Sequence, residues 1–157
     1  MPSKTRLDLD SFVPYRLSVL TNRVSGAIAR HYSQRFDLSV PEWRVIAVLG
    51  QAPGLSARDV AKRTAMDKVQ VSRAVQSLLA AKRLIRTAHL QDGRIAHLSL
   101  SARGQAIYDE VVPLALSLER QFLSVLSPGE QKSLDTLLTK LSRHMDRMSA
   151  TEDAALS

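Results

Sequence analysis

Apolar residues recur along this chain at two spacings, and the switch between them marks its organisation. From Phe12 to about Phe36, Leu17, Leu20, Val24, Ala27 and Ile28 keep the three-and-four spacing of an amphipathic helix. Ser39-Val40-Pro41-Glu42 then reads as a helix start, with a serine N-cap, a glutamate three positions on and proline in the first turn. Trp43, Val45, Ile46 and Leu49 form its apolar side, and the helix ends at Gly50 to Gly54. Ser56-Ala57-Arg58-Asp59 repeats the capping pattern and opens a third helix with Val60, Ala61 and Thr64 facing inward. After a tight Ala65-Met66 link, Asp67 with Gln70 three residues later caps a fourth helix. Its inward set is Val71, Val75, Leu78 and Leu79, which leaves Lys68, Gln70, Ser72, Arg73 and Gln76 outside.

Between Leu84 and Leu100 the helical period gives way to two β-rich halves around Asp92-Gly93. Both of these residues tolerate positive φ, so the segment predicts a hairpin. Ser101 opens a long helix to about Leu126 that carries Leu114, Leu118, Phe122 and Val125. Ser127-Pro128-Gly129-Glu130 caps a last helix bearing Leu134, Leu137, Leu138, Leu141, Met145 and Met148. Met1 to Asp10 and about Ala150 to Ser157 lack a sustained apolar period and are expected to fray. The expected fold is mainly α with one small β-hairpin, in a single domain over residues 1–157. A chain of that length buries about two-thirds of its unfolded surface without needing disulfides or metals.

Charge sharpens this picture because it is concentrated. From Arg58 to Arg103 there are ten cations against three anions, which accounts for the whole formal charge of +7. The rest of the chain is neutral. A positive field confined to one helix-helix-hairpin unit suits a polyanion. Two helices joined by so short a link match a helix-turn-helix, whose second helix enters the major groove while the first crosses the backbone. Gln70 and Gln76 suit adenine edges, Arg73 guanine or phosphate, and Ser72 base or backbone, with Lys68 beside them. The hairpin tip, Asp92-Gly93-Arg94, can act as a wing that places Arg94 in the adjacent minor groove. Taken singly, the helix face reads equally well as solvated surface, and the tip as an ordinary turn. Their succession is what points to double-stranded DNA. A sequence-indifferent architectural nucleic-acid-binding protein is the alternative, since charge alone says only that the partner is anionic.

Other classes fit less well. There is no cysteine, which excludes disulfides, thiolate metal ligands and thiol-based peroxide sensing, and which is compatible with a reducing cytosol. No glycine-rich phosphate loop, paired-histidine zinc helix or serine elbow is present, so an enzyme is not expected. The histidines stand apart at 31, 89, 97 and 144. His89 and His97 flank the hairpin, on opposite faces if its loop has two residues and side by side if it has three. Two ligands lacking a third make a weak zinc site either way, so neither metal nor cofactor is expected. Apolar runs such as Val45 to Leu49 fall far short of the ~20 residues that span a bilayer, and no segment resembles a signal peptide. A cytoplasmic protein without a membrane partner is the expectation.

The stretch from Leu55-Ser56 to Arg103-Gly104 resembles the MarR family of winged-helix transcription regulators. The likeness includes Leu38-Ser39 with Trp43 before the unit, Val71-Ser72-Arg73 in the reader helix, Asp92-Gly93-Arg94 at the wing and Leu100-Ser101 with Gly104 after it. It spans about Phe12 to Met148. The resemblance implies a winged helix-turn-helix lobe over 39–100 and a helical dimerisation lobe over 12–36 and 101–148. It also implies that Asp92 braces Arg73 and Arg94, that a homodimer binds a palindromic operator, and that a small, often aromatic or phenolic, effector releases DNA. The long apolar stripes at both ends could bury against each other within one chain or across a two-fold. A dimer would set two reader helices about 34 Å apart, as a palindrome requires. In such proteins the effector lies between the lobes, which makes Tyr15, Arg16, Arg23, His31 and Trp43 the candidates here. Each has a plainer reading: Trp43 as core, the arginines and His31 as solvated surface.

Overall fold

The computed structural model describes residues 6–88 and 93–155. Within them the order is α1 (Val13–Phe36), α2 (Val40–Gln51), α3 (Ala57–Thr64), α4 (Lys68–Ala80), β1 (Leu84–Ala88), β2 (Ala96–Leu100), α5 (Ala102–Leu123) and α6 (Pro128–Ala155). The chain divides into two compact units, Met1–Leu118 and Glu119–Ser157.

The starts of α2, α3 and α4 are fixed by short-range polar bonds, whereas α1 begins without a side-chain cap. Ser39 Oγ accepts the Glu42 N–H at 3.3 Å while Glu42 accepts the Ser39 N–H at 2.7 Å. Ser56 and Asp59 close the same reciprocal pair at the head of α3. At α4, Asp67 accepts the N–H groups of Val69 and Gln70 at 2.8 and 3.3 Å. No return bond from the Gln70 side chain accompanies them among the described residues, so this cap is one-sided and the amide stays on the outer face. Each cap satisfies N–H groups that the first helical turn would otherwise leave unpaired.

The first unit holds every buried hydrophobic residue among those described. Tyr32 and Leu38 from α1 and its end meet Val45, Ile46 and Leu49 of α2, Val60 of α3, and Val71, Ala74, Val75 and Leu78 of α4. Leu84, Leu98, Ile107 and Val111 close the cluster from the hairpin and α5. The two strands pair antiparallel, Leu84 opposite Leu100 and Ala88 opposite Ala96. Leu55, in the α2–α3 link, adds a bridge to Leu98, with the Leu98 N–H donating to the Leu55 carbonyl at 2.8 Å. The hairpin is thereby tied to the helix-turn-helix at its base.

In the second unit, the Gln131 side chain donates to the Leu123 and Leu126 carbonyls at 3.2 and 3.1 Å, closing the end of α5. Ser127 and Glu130 form the expected reciprocal cap of α6.

Some of the residues expected to fray form regular structure. α6 continues to Ala155 rather than fraying from Ala150, because alanines and Glu152 favour helix and the Thr151 hydroxyl bonds the Arg147 carbonyl. At the other end, Asp8 accepts the Ser11 hydroxyl at 2.8 Å, and its carbonyl accepts the Phe12 N–H at 3.1 Å, forming a turn that leads into α1.

Candidate nucleic-acid interface

α4 is two-faced. Val71, Ala74, Val75 and Leu78 recur at helical spacing on the buried side, while Lys68, Val69, Gln70, Ser72, Arg73 and Gln76 are exposed. All five polar residues expected to read DNA therefore share one exposed helix. Leu79, expected inside, is only half-buried, and Ala74 takes the fourth core position. The turn that aims α4 relies on Ala65 at φ 52, a left-handed conformation without a glycine to ease it. Thr64 holds this turn, its hydroxyl donating to the Val60 carbonyl at 2.8 Å and accepting the Met66 N–H at 3.3 Å.

Two polar pins seat α4 against the rest of the unit. The Ser77 hydroxyl donates to Glu42 of α2 at 2.5 Å, across a shallow groove that Gln70 and Arg73 also line. Burial alone would raise the Glu42 carboxyl. The Ser39 N–H, the Ser77 and Ser39 hydroxyls and the charge of Arg83 outweigh it and hold the group below the ordinary glutamate value of 4.5. Just beyond α4, the Arg83 guanidinium donates to the carbonyls of Phe36 and Asp37 at the end of α1. The Arg83 carbonyl in turn accepts the Ser101 N–H at 3.0 Å. Gly104 lies against that same carbonyl, with which a Cβ would collide. The Leu100-Ser101…Gly104 pattern thus has a packing reason: α5 starts flush against the chain leaving α4.

The wing is described up to Ala88 and from Gly93. Asp92, expected to brace Arg73 and Arg94, lies outside the described residues, as does His89. Arg94 is exposed two residues before β2. The register has its midpoint at residue 92, whereas a two-residue Asp92-Gly93 loop would centre it between 92 and 93. Thr87 stands opposite His97. Among the described residues no group of three or more His, Cys, Asp or Glu could hold a metal ion. No helix among them is long and apolar enough to cross a membrane.

Known proteins similar to this chain in sequence and fold include members of one family. The sequence profile of the MarR family matches residues 36–95. The HTH-type transcriptional regulator BilQ of Clostridium symbiosum is 32% identical over 110 residues, covering 70% of this chain and 76% of BilQ. The chain belongs to the MarR family. Among solved structures, a MarR/EmrR family transcriptional regulator from Acinetobacter sp. ADP1 superposes with a TM-score of 0.81 at 28% identity, over 90% of this chain and 99% of that one. Bordetella bronchiseptica BpsR, whose DNA binding is regulated by 6-hydroxynicotinic acid, superposes at 0.77 with 25% identity, over 88% and 98% of the two chains. This MarR-family protein is a winged helix-turn-helix transcriptional regulator that binds DNA, not an enzyme.

The residues considered for an effector are spread out. Tyr15, Arg16, Arg23 and His31 are all exposed along α1. Tyr15 and His31 are separated by about 24 Å of helix axis, too far for one small ligand to touch both on the same chain. Trp43 alone sits in a packed setting. Its ring centroid is 5.6 Å from that of Tyr32 and 6.4 Å from that of Tyr108, an aromatic row running from α1 through α2 to α5. Tyr32 is fully buried, and burial, opposed only by the charge of Arg44, pushes its phenol up to about 12. The Tyr108 ring fills the space where a Cβ on Gly50 would fall. Neither tyrosine stood out in the sequence. Tyr32 lies outside the apolar set that marked α1, and Tyr108 outside the one that marked α5.

Proposed function

We propose that this regulator is a cytoplasmic homodimeric repressor that occupies a palindromic operator and leaves it when a small aromatic or phenolic effector binds. The observation that carries the DNA part is the outer face of α4. There Lys68, Gln70, Ser72, Arg73 and Gln76 stand exposed over a fully packed inner face, which supports a reading in which they meet a partner, since the core does not use them. In this reading those residues enter the major groove, Arg94 the minor groove, and Asp92 steadies the arginines. The dimer rests on α6, a 28-residue helix without one buried residue. The effector reading draws on BpsR, whose DNA binding responds to a hydroxylated aromatic acid. Trp43 is the best placed of the candidate contacts, while Tyr15, Arg16, Arg23 and His31 would meet a ligand only from the open side of α1. An effector releases DNA by binding better to a dimer whose reader helices are wrongly spaced for the operator.

The test is selection of DNA from a random pool, followed by a salt series on the enriched site. A palindromic site preferred about 10³-fold or more over random DNA is expected. Arg94→Ala should weaken binding and lower the salt slope by about one unit, because one cation near phosphate is lost. A pool that enriches no site would instead favour a sequence-indifferent architectural protein, and an unchanged salt slope would remove Arg94 from the interface.

A further inference from the structure

Among the six exposed residues of α4 named above, Val69 is apolar. It is 55% exposed, two positions before Val71, which is 1% exposed. A two-residue step turns about 200° around a helix, so Val69 lies nearly opposite the core face. Its neighbours at three, four and seven positions on are Ser72, Arg73 and Gln76, the exposed polar residues of the same side. Local stability does not account for it. Valine is a poorer helix former than alanine, and the cap at this end is made by the Asp67 side chain accepting the backbone N–H of Val69, which any residue but proline supplies. Nor does the core, which Val71, Ala74, Val75 and Leu78 fill without it.

In the major groove the base pairs present hydrogen-bonding groups and one apolar group, the C5-methyl of thymine. A β-branched side chain is suited to meeting it. Valine in a helix holds essentially one χ1 rotamer, so its two methyls are fixed before contact and little entropy is lost on docking. Its position in the first turn also counts, because recognition helices contact base edges through their N-terminal residues. We propose that Val69 reads the methyl group of a thymine in each half-site, making it a specificity-determining residue of the reader helix. This rests on the operator reading above, with α4 in the major groove.

Removing the methyl while keeping every hydrogen-bonding group isolates the contact. In the selected operator, each thymine is replaced singly by deoxyuridine and the dissociation constant is measured with the full-length protein. One position per half-site should lose about three- to tenfold in affinity. Val69→Ala should bind the intact operator more weakly and lose its sensitivity to deoxyuridine at that position only. Because alanine favours helix, its thermal midpoint should not fall, which separates a lost contact from a damaged fold. A flat deoxyuridine scan on an enriched palindrome, or a Val69→Ala protein with the wild-type pattern of sensitivity, would overturn this assignment and leave the operator reading intact. A pool that yields no enriched site would overturn both.

Discussion

α4, 13 residues long, buries Val71, Ala74, Val75 and Leu78, whereas α6, at 28 residues, buries none. Both follow the same apolar spacing. In α6, Leu137, Leu138, Leu141, Met145 and Met148 fall on one stripe, yet each is between 45% and 58% exposed. An apolar stripe states which side of a helix should leave water; it does not state what will cover it. For α4 the cover comes from α2, α3 and the hairpin within the same chain. α6 buries no residue, and in the proposed homodimer a second copy would cover its stripe. The helix-turn-helix core is therefore complete in one chain, and in the proposed homodimer the pairing of two such units would fall to the apolar stripe of α6.

The sharpest test of this contrast is Leu78→Ala. Leu78 is 0% exposed, and its truncation should cost about 2–5 kcal/mol of folding stability, read from denaturant unfolding at one fixed protein concentration, with the dissociation constant of the folded dimer unchanged. Leu141→Ala on α6 should act on assembly instead. Leu141 is 51% exposed, so each copy loses about 1 kcal/mol of apolar burial and the pair about 2 kcal/mol, and the dimer dissociation constant measured by sedimentation should rise about tenfold or more. A Leu141→Ala protein that associates normally but unfolds as readily as Leu78→Ala would show α6 to be core, and the contrast would fail. The smallest effect is expected at the polar pin. Glu42→Gln should cost about 1 kcal/mol, because amide-to-hydroxyl bonds replace those of a carboxylate. Its pH dependence has a definite sign. The folded Glu42 carboxyl titrates below 4.5, so its stabilisation is present above that value and is lost as pH falls through the lower folded one. Melting temperatures stepped down through this acid range should fall less steeply for Glu42→Gln than for wild type.

Legibility followed the range of the interactions. The caps at Ser39, Ser56, Asp67 and Ser127 could be read because donor and acceptor lie within three residues of each other, and all four helices start there. The outward set on α4 was legible from period alone, except for Val69, which an apolar-in, polar-out rule passes over. The left-handed positions were not legible. Asp37, Ala65 and Lys82 adopt positive φ without being glycine, because packing on both sides fixes the chain there whatever the residue prefers. The packing roles of Gly50 and Gly104 were not legible either, since what they make room for, Tyr108 and the Arg83 carbonyl, is distant in sequence. The hairpin was visible, but its register was not, because the Leu55–Leu98 bridge from outside the hairpin helps to set it.

By itself the amino-acid order determined where helices begin, which face of each is apolar, and that all the net charge falls between Arg58 and Arg103. These are consequences of contacts within one or two helical turns. Only the tertiary structure decided that Tyr32, Trp43 and Tyr108 form one row, that Glu42 and Arg83 pin α4, and that α6 has no buried residue. The physical reason is that burial and long-range hydrogen bonds depend on which surfaces meet, and a linear pattern fixes the surfaces without fixing their meeting.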